Sequence, residues 1–432
     1  MSSSTSTAAA ARLSSVAIPA SAVVAWILYD FANTIFSLNV VSRYFGPWIL
    51  DEGASDLTYG AVVAVSGLAI ALVSPVLGAL SDRMGRRMPF LIVFTLACVA
   101  ATFGIGLTGS VWTALLLFAL ANIAFQSGLI FYDALLPRVS REANRGRISG
   151  YGVAAGYVGA IVGLFLVGIF AGEGDARQDA FIPTAVLFLL FALPIFFLVR
   201  DQGTQGDRST FPTARDVRAA MGQLRHTFVH SGQYPGLRRF ILSRFLYADA
   251  INTIIVSMAI YAERAIGMDD AQIDTLLALS IVFAVLGGLV GGFVVERYGP
   301  RRTLGAVLFG WTVTLLLTMA AMGPTIFYVI GPLIGVLLGA TWTSDRVFLT
   351  RLSPPQYLGE FFGLYGLAGK FAGVVGPLIW AATVELARLA GLESVAYRAA
   401  VGTLVVAIVL GYLAVRPVSD ELYRDESVMG DG

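Results

Sequence analysis

The sequence predicts an all-α polytopic membrane protein with twelve transmembrane helices in two pseudo-symmetric six-helix bundles. Its 432 residues are 57% hydrophobic and only 13% charged, with a mean hydropathy of +0.77, whereas a soluble domain averages about 25% charged residues. Apolar runs of membrane length recur along the whole chain, and several features of the first half return in the second. These three observations exclude a single soluble core.

Glycine, proline and charged clusters divide the chain into apolar segments, most of which reach the roughly 20 residues that a membrane helix needs. The predicted segments are 22–45, 58–81, 90–109, 112–135, 149–171, 181–199, 239–262, 272–295, 303–322, 325–347, 361–387 and 396–415. We expect a disordered cytoplasmic tail at 1–20, an N-terminal bundle at 21–199, a central cytoplasmic loop at 200–238, a C-terminal bundle at 239–416 and a cytoplasmic tail at 417–432.

Arginine marks one set of connecting loops and acidic residues mark the other. Arg138 and Arg297 represent the basic loops, and Asp51 and Asp269 the acidic ones. Basic loops face the cytoplasm. The sequence therefore predicts a multi-pass protein of the plasma (inner) membrane with both termini in the cytoplasm.

The central loop contains a short helical pattern. Apolar residues recur there at helical spacing, namely Val217, Met221, Leu224 and Phe228, with arginines between them. This pattern predicts an amphipathic helix on the cytoplasmic membrane surface, or a linker helix without membrane contact. His226 and His230 lie one turn apart, but without further ligands they do not indicate a metal site.

A polar stripe interrupts the first apolar segment and has a counterpart half a chain later. The stripes consist of Asp30, Asn33, Thr34 and Ser37, and of Asp249, Asn252, Thr253 and Ser257. Each set lies on one helix face. A charge at a membrane helix centre costs about 2.5–3.5 kcal/mol on insertion scales, so it faces protein or a water-filled cavity. We predict that Asp30, Asn33, Thr34, Asp249, Asn252 and Thr253 bind solute or a proton; the alternative is a structural polar contact between the bundles.

Two further repeats relate the halves. The residues Gly78, Asp82, Arg83 and Gly85 precede Arg86 and Arg87, and their counterparts are Gly292, Glu296, Arg297 and Gly299, followed by Arg301. Glycines of the fifth segment lie 213 residues before glycines of the eleventh, as in Gly150 and Gly363. Such repeats are typical of secondary transporters whose two bundles move about a site near the membrane midplane.

The chain resembles the major facilitator superfamily, and within it the Atg22-like, or UMF1, family. The resemblance rests on the motif of Gly78–Arg87 and on five stretches that begin at Trp26, Phe131, Gly146, Arg244 and Glu360. They read WILYDFAN, FYDALLP, GRISGYG, RFLYADAIN and EFFGLYGLAGK. Asp133 stands where many members carry Asn.

The resemblance implies a twelve-helix facilitator fold in which segments 1, 4, 7 and 10 line a central cavity. It implies solute transport, which in the yeast-type members is associated with amino-acid efflux from the vacuole. It also assigns conformational switching to the repeated motif, so we predict a cytoplasmic gate there. The motif residues of this gate are Asp82, Arg83, Arg86, Arg87, Glu296, Arg297 and Arg301. The alternative for these charges is that they only determine topology.

The remaining candidates lie in segments 4, 10 and 11. Asn122 and Gln126 are predicted to bind solute, whereas Asp133, Asp345 and Arg346 suit gate or loop contacts. The only lysine, Lys370, lies near mid-membrane. A buried ammonium needs a partner: a solute anion, a switchable pair with Asp30 or Asp249, or a permanent structural salt bridge.

The sequence predicts no enzyme, cofactor, metal site or nucleic-acid partner. The net charge is +1, and Cys98, the single cysteine, lies in an apolar run. We therefore predict a secondary transporter that moves a small polar solute, such as an amino acid, by alternating access with proton coupling. The alternatives are an exporter of amphipathic or drug-like compounds, and a non-transporting receptor or scaffold. A monomer is favoured.

Overall fold

The computed structural model describes residues 18–171, 174–201, 216–222, 235–392 and 395–419. Twelve long helices, numbered here in chain order, make up most of this part of the chain. They are α1 Ala20–Phe36, α2 Asp56–Met84, α3 Met88–Ile105, α4 Val111–Ala134, α5 Arg145–Gly168, α6 Phe181–Leu198, α7 Pro235–Tyr261, α8 Asp270–Tyr298, α9 Pro300–Ala320, α10 Phe327–Leu352, α11 Leu358–Leu389 and α12 Ala396–Val415. The predicted twelve-helix membrane fold is confirmed.

Shorter helical pieces connect or extend these helices. The π-helix Ser37–Tyr44 joins α1 to the helix Phe45–Asp51 without a break. The others are the helix Leu136–Val139, the π-helix Ala262–Ile266, the helical turns 216–222, and the 3₁₀ segments Glu142–Asn144, Gly174–Ala180, Pro324–Ile326 and Pro355–Tyr357.

Eleven described helices are long and apolar enough to cross a membrane, and α7 is the remaining long helix. Helix α7 carries Arg244 and Asp249 in its interior, which lowers its hydropathy. The first span extends to Asp51, beyond the predicted end at 45, because Pro47 falls in the first turn of Phe45–Asp51, where a missing N–H breaks no helical bond. Helix α10 likewise continues past 347 to Leu352.

Each half of the chain has its own hydrophobic core. In the N-terminal half, α1 packs against α5 and α6, and α4 packs against α2 and α3 around aromatic side chains such as Trp26 and Phe118. In the C-terminal half, α7 packs against α11 and α12, and α10 packs against α8 and α9 around Tyr247 and Trp311. The two halves thus repeat one arrangement of helices.

The halves meet along two glycine seams, which we define as the α2–α11 contact and the α5–α8 contact. A Cβ atom added at Gly78 of α2 would overlap the backbone of Gly359 in α11. One added at Gly150 of α5 would likewise overlap the backbone of Gly288 in α8. Both contacts involve the last part of α2 and α8 and the first part of α5 and α11. All four helix ends belong to the basic loops, so we call this the basic end.

Toward the opposite end of the molecule, α2 no longer packs against the C-terminal half. Of residues 57–69, only Ser66 is buried, and a Cβ atom added at Gly60 or Gly67 would meet nothing within 4 Å. Beyond Ile70 most residues of α2 are buried or half-buried. The halves are therefore packed together at the basic end, and the first part of α2 stands apart from the C-terminal half.

Gly78→Ala is expected to shift the protein away from the state that is closed at the basic end. Overpacking costs about 1–3 kcal/mol, and here the added methyl group meets backbone that cannot rotate away. The measurement is the electron–electron distance between spin labels at the exposed positions Arg86 and Arg297, in a Cys98→Ser background. Gly67→Ala, on the same helix, is the control. Equal distance distributions for the two variants would contradict the closed glycine seam.

The short helix 216–222 lies against the end of α2. Ala220 is buried next to Ala79 and Leu80, and Asp216 pairs with Arg83 at 3.3 Å. Contact of this helix with a membrane surface stays a prediction. The rest of the predicted amphipathic helix, including His226 and His230, lies outside the described residues.

Candidate functional site

A central cavity of about 440 Å³ lies between the halves. Side chains from α1, α4, α5, α7, α10 and α11 line it. The predicted solute or proton residues that line it are Asp30, Asn33, Thr34, Gln126, Asn252 and Lys370. Asp133 and Arg346, predicted as gate or loop contacts, line it as well.

An ion triad, with a buried arginine and two half-buried aspartates, crosses from one half to the other in this cavity. Arg346 of α10 lies 3.3 Å from Asp30 of α1 and 3.1 Å from Asp133 of α4. Its guanidinium also donates to the carbonyl of Ser149 in α5 at 3.2 Å and lies 5.4 Å from the centre of the Trp26 ring. One guanidinium therefore serves two carboxylates, and the triad as a whole carries one excess negative charge.

Stacked aromatic rings fix the positions of the two carboxylates. Trp26 stacks on Tyr132 with ring centroids 4.6 Å apart, and Tyr29 stacks on the same ring at 5.0 Å. The Trp26 indole N–H donates to the carbonyl of Tyr132 at 3.1 Å. Because Asp30 and Asp133 immediately follow Tyr29 and Tyr132 in sequence, this stack holds both acids beside Arg346.

The polar stripe of α1 supports Asp30 locally. The Asn33 amide donates to the Asp30 carboxylate at 3.2 Å, and the Thr34 hydroxyl donates to the Asp30 carbonyl at 2.9 Å. Gly152 of α5 provides the room, because a Cβ atom there would overlap both Asp30 and Trp26. The glycine pattern of the fifth segment therefore serves the site as well as helix packing.

A second ion pair lies wholly within the C-terminal half and involves Arg244, which sequence analysis did not identify as a site residue. Arg244 of α7 contacts Asp345 at 2.7 Å, and the hydroxyl groups of Tyr247 and Tyr365 donate to the same carboxylate at 3.2 and 2.9 Å. The ring of Trp342 lies 4.7 Å from the guanidinium. An arginine inside an apolar segment is the signal that marks such a residue.

This pair changes the interpretation of Asp345, for which we predicted a gate or loop contact. Its side chain is fully buried inside the C-terminal half rather than placed at a loop or between the halves. Its neighbour Arg346 points the other way and makes the contact between the halves.

Lys370 lies in the wall of the cavity. No ion pair or hydrogen bond joins its ammonium group to any residue in the described part of the chain. Asp30 is occupied by Arg346 instead. The preceding residue, Gly369, accepts a hydrogen bond at 3.4 Å from the Asn252 amide, which also lines the cavity. Among the described residues, the cavity thus combines a cation in α11 that has no partner with an excess negative charge at the triad.

Three predicted site residues do not line this cavity. Asn122 of α4 is buried and donates to Ser66 of α2 at 3.0 Å, which joins two helices of one half. Asp249 and Thr253 of α7 face Gly376 of α11. Asp249 is buried, no basic side chain in the described residues forms an ion pair with it, and one of its carboxylate oxygens has no hydrogen-bond partner there.

At the basic end, an acid from each half meets the first turn of a helix in the other half. Asp82 accepts backbone hydrogen bonds from Gly359 at 2.9 Å and Glu360 at 2.7 Å in α11, and pairs with Arg87 at 2.7 Å. Glu296 accepts a hydrogen bond from the backbone N–H of Arg147 in α5 at 2.9 Å, and its carboxylate forms an ion pair with the Arg147 guanidinium at 2.7 Å. A carboxylate is favourable at a helix N-terminus. The contacts of Asp82 with α11 and of Glu296 with α5 exist only while the halves are together.

The other predicted gate residues have simpler surroundings. Arg83 pairs with Asp216 of the short helix 216–222. Arg86 and Arg297 are exposed. Arg301 donates to the carbonyl of Arg416, which lies in the same half.

Twelve helices in two equivalent halves, which meet around a central polar cavity, define a membrane transporter of the major facilitator superfamily. The chain belongs to the Atg22-like family: the family model described as "Vacuole effluxer Atg22 like" matches residues 58–414. The resemblance seen in the sequence is thereby confirmed.

Individual relatives and a solved structure are similar to this chain over most of its length. The "Uncharacterized MFS-type transporter YxiO" of Bacillus subtilis is 27% identical, over 93% of this chain and 96% of the relative. The "Multidrug resistance protein MdtG" of Dickeya zeae is 25% identical, over 83% and 86%. The solved structure of a bacterial ferroportin homologue in an outward-facing state superimposes with a TM-score of 0.70 at 14% identity, over 93% of this chain and 99% of that one.

Proposed function

We propose that this transporter moves a small zwitterion, such as an amino acid, by alternating access. The observation that supports it is the charge pattern of the cavity: Lys370 has no partner among the described residues, and the triad of Asp30, Asp133 and Arg346 has one carboxylate in excess. A carboxylate of the solute pairs with Lys370, and its ammonium group with the triad. The cavity volume of about 440 Å³ lies within the range of small-molecule sites.

The closed basic end supports a role as the cytoplasmic gate. If basic loops face the cytoplasm, the structure is an outward-facing state. The contacts that Asp82 and Glu296 make with the opposite half must then break for the solute to reach the cytoplasm. When the basic end opens, hydrogen bonds to water replace these hydrogen bonds. The net free-energy cost of opening is therefore modest, and both the closed and the open state remain accessible.

Asp249 is the proton carrier in this proposal. Its carboxylate is buried without a basic partner in the described residues, and a proton removes the cost of burying that charge. It lies between α7 and α11, the helix that carries Lys370. A proton bound at Asp249 therefore lies next to a helix that also lines the solute cavity.

The test is uptake into vesicles that contain the purified protein, with the solute first chosen by a thermal-shift screen of amino acids, dipeptides, sugars and drug-like cations. We expect an amino acid to raise the melting temperature and an imposed pH gradient to drive its accumulation. Asp249→Asn is expected to abolish the response to the gradient and to retain solute exchange. Equal accumulation by Asp249→Asn and wild type would exclude Asp249 as the carrier, and binding without uptake would favour the receptor alternative.

Export of amphipathic or drug-like compounds is the second candidate. The cavity wall includes Phe125, Tyr157, Trp342 and Phe362, and aromatic rings bind apolar and cationic compounds. The relative named "Multidrug resistance protein MdtG" favours the same function. Thermal shifts with bulky amphipathic cations alone would replace the zwitterion proposal by this one.

A further inference from the structure

A second cavity, of about 610 Å³, lies at the basic end. Residues of both halves line it: the turn between α2 and α3, the connection between α4 and α5, and the connection between α10 and α11. We call it the basic-end pocket. Its charged lining residues are Asp82, Arg87, Arg138, Glu142, Arg145 and Arg351. Four guanidinium groups therefore face two carboxylates in the described lining.

Both carboxylates are already engaged. Asp82 binds Arg87 and two backbone N–H groups of α11. Glu142 is shared by Arg145 of the N-terminal half and Arg351 of the C-terminal half, the latter at 2.6 Å. Neither acid remains available for a further arginine in the pocket.

Arg138 is that further arginine. Its side chain is half-buried, and no hydrogen bond or ion pair joins its guanidinium to any residue of the described chain. Burial lowers the pKa of Arg138, the nearby Asp201 raises that pKa, and the neighbouring Arg87 lowers it again. One oxygen of the Asp201 carboxylate accepts backbone hydrogen bonds from Arg87 and Met88, and the other has no hydrogen-bond partner among the described residues. Asp201 does not belong to the described lining of the pocket and forms no ion pair with Arg138 there.

We propose that the basic-end pocket binds a phosphate-class oxyanion through Arg138, with Arg145 and Arg351 as further donors. The planar guanidinium group of arginine matches the oxygens of phosphate and can donate two parallel hydrogen bonds. Arg145 and Arg351 both contact the carboxylate of Glu142 and lie in the wall of the same pocket as Arg138.

Binding there favours the closed basic end. Arg138 and Arg145 belong to the N-terminal half and Arg351 belongs to the C-terminal half, so the bound anion contacts both. When the halves separate at the basic end, Arg351 moves away from Arg138 and Arg145, and the anion loses part of its binding site. A ligand that binds one conformational state more tightly shifts the population toward that state. The oxyanion thus acts as a brake on opening at the basic end, whatever solute the central cavity carries.

Two sources offer this chemistry: free phosphate, and the phosphodiester headgroup of an anionic lipid. They are distinguished by two experiments on the full-length protein. In detergent, the melting temperature is measured in sodium phosphate and in sodium chloride of equal ionic strength. In vesicles of phosphatidylcholine with or without phosphatidylglycerol, the distance between spin labels at Arg86 and Arg297 is measured.

Phosphate is expected to raise the melting temperature, and Arg138→Gln is expected to weaken this binding about tenfold, the effect of one charge-assisted hydrogen bond. Arg138→Lys restores part of it. Arg218→Gln, which removes an exposed charge of the short helix 216–222, is the matched control and is expected to respond like the wild type.

A response to phosphatidylglycerol alone, lost in Arg138→Gln and kept in Arg218→Gln, assigns the pocket to a lipid headgroup. A response to free phosphate that is lost in Arg138→Gln and kept in Arg218→Gln assigns the pocket to a soluble anion. Equal responses of Arg138→Gln and Arg218→Gln overturn the proposal, and so does a wild-type protein that responds to neither probe.

Discussion

Arg346→Gln is expected to lower the free energy of unfolding by about 3–5 kcal/mol and to abolish uptake. The substitution leaves the half-buried Asp30 and Asp133 together without the buried cation that both contact. Breaking a buried ion pair by removing one partner has a cost of up to this size. It also removes an attraction between the halves. The measurements are chemical unfolding in detergent and uptake into vesicles.

Arg264→Gln is the control for loss of one arginine. Arg264 pairs with Glu263, and both side chains are more than half exposed, at 64% and 54%. A surface pair contributes about 0–1 kcal/mol, so this variant is expected to unfold like the wild type. Adding Asp133→Asn to Arg346→Gln removes one of the two repelling carboxylates and is expected to recover part of the stability. A single variant Arg346→Gln that is as stable as Arg264→Gln would show that the triad contributes little.

Lys370→Met is expected to weaken solute binding about 10- to 100-fold without lowering the melting temperature. Charge-assisted hydrogen bonds contribute about 1.5–3 kcal/mol each, so their loss changes affinity by this factor. Methionine keeps most of the volume of the side chain. Because no described residue pairs with the Lys370 ammonium, its removal leaves no protein charge unpaired.

This prediction separates two roles of Lys370 that the sequence left open. In a permanent salt bridge, Lys370→Met would destabilise the protein by about 3–5 kcal/mol. With a solute anion as partner, stability is unchanged and only affinity falls. Lys370→Arg keeps the charge and is expected to retain part of the binding. A clear loss of stability in Lys370→Met would therefore exclude the proposed role in solute binding.

The sequence was sufficient for the fold because hydropathy and repetition determine it. Helix lengths follow from the apolar runs, and the matching polar stripes of Asp30 and Asp249 reveal two equivalent halves. The same periodicity could not show which neighbour each stripe faces. Asp30 lines the cavity, whereas Asp249 faces α11, because helical spacing defines a shared face but not the helix that packs against it.

The partners of the charged residues could not be predicted for a related reason. Arg346 lies 316 residues from Asp30, and only tertiary packing brings the two together. Lys370 was recognised as a buried cation from its place in an apolar segment. Its lack of a described partner depends on side-chain positions in several helices, which no local pattern contains.

The contact between Asp133 and Arg346 has a consequence for how the two halves can assemble. The two residues are 213 positions apart, the same interval as between Gly150 and Gly363, so they occupy equivalent positions of the duplicated unit. A residue on a twofold axis meets its own copy, and identical residues here would bring two carboxylates or two guanidinium groups together. Because the two halves carry opposite charges at this equivalent position, they attract each other there. Two copies of the same half would repel each other at that position. We therefore expect an N-terminal half to pair less favourably with a second N-terminal half than with the C-terminal half to which it is covalently joined.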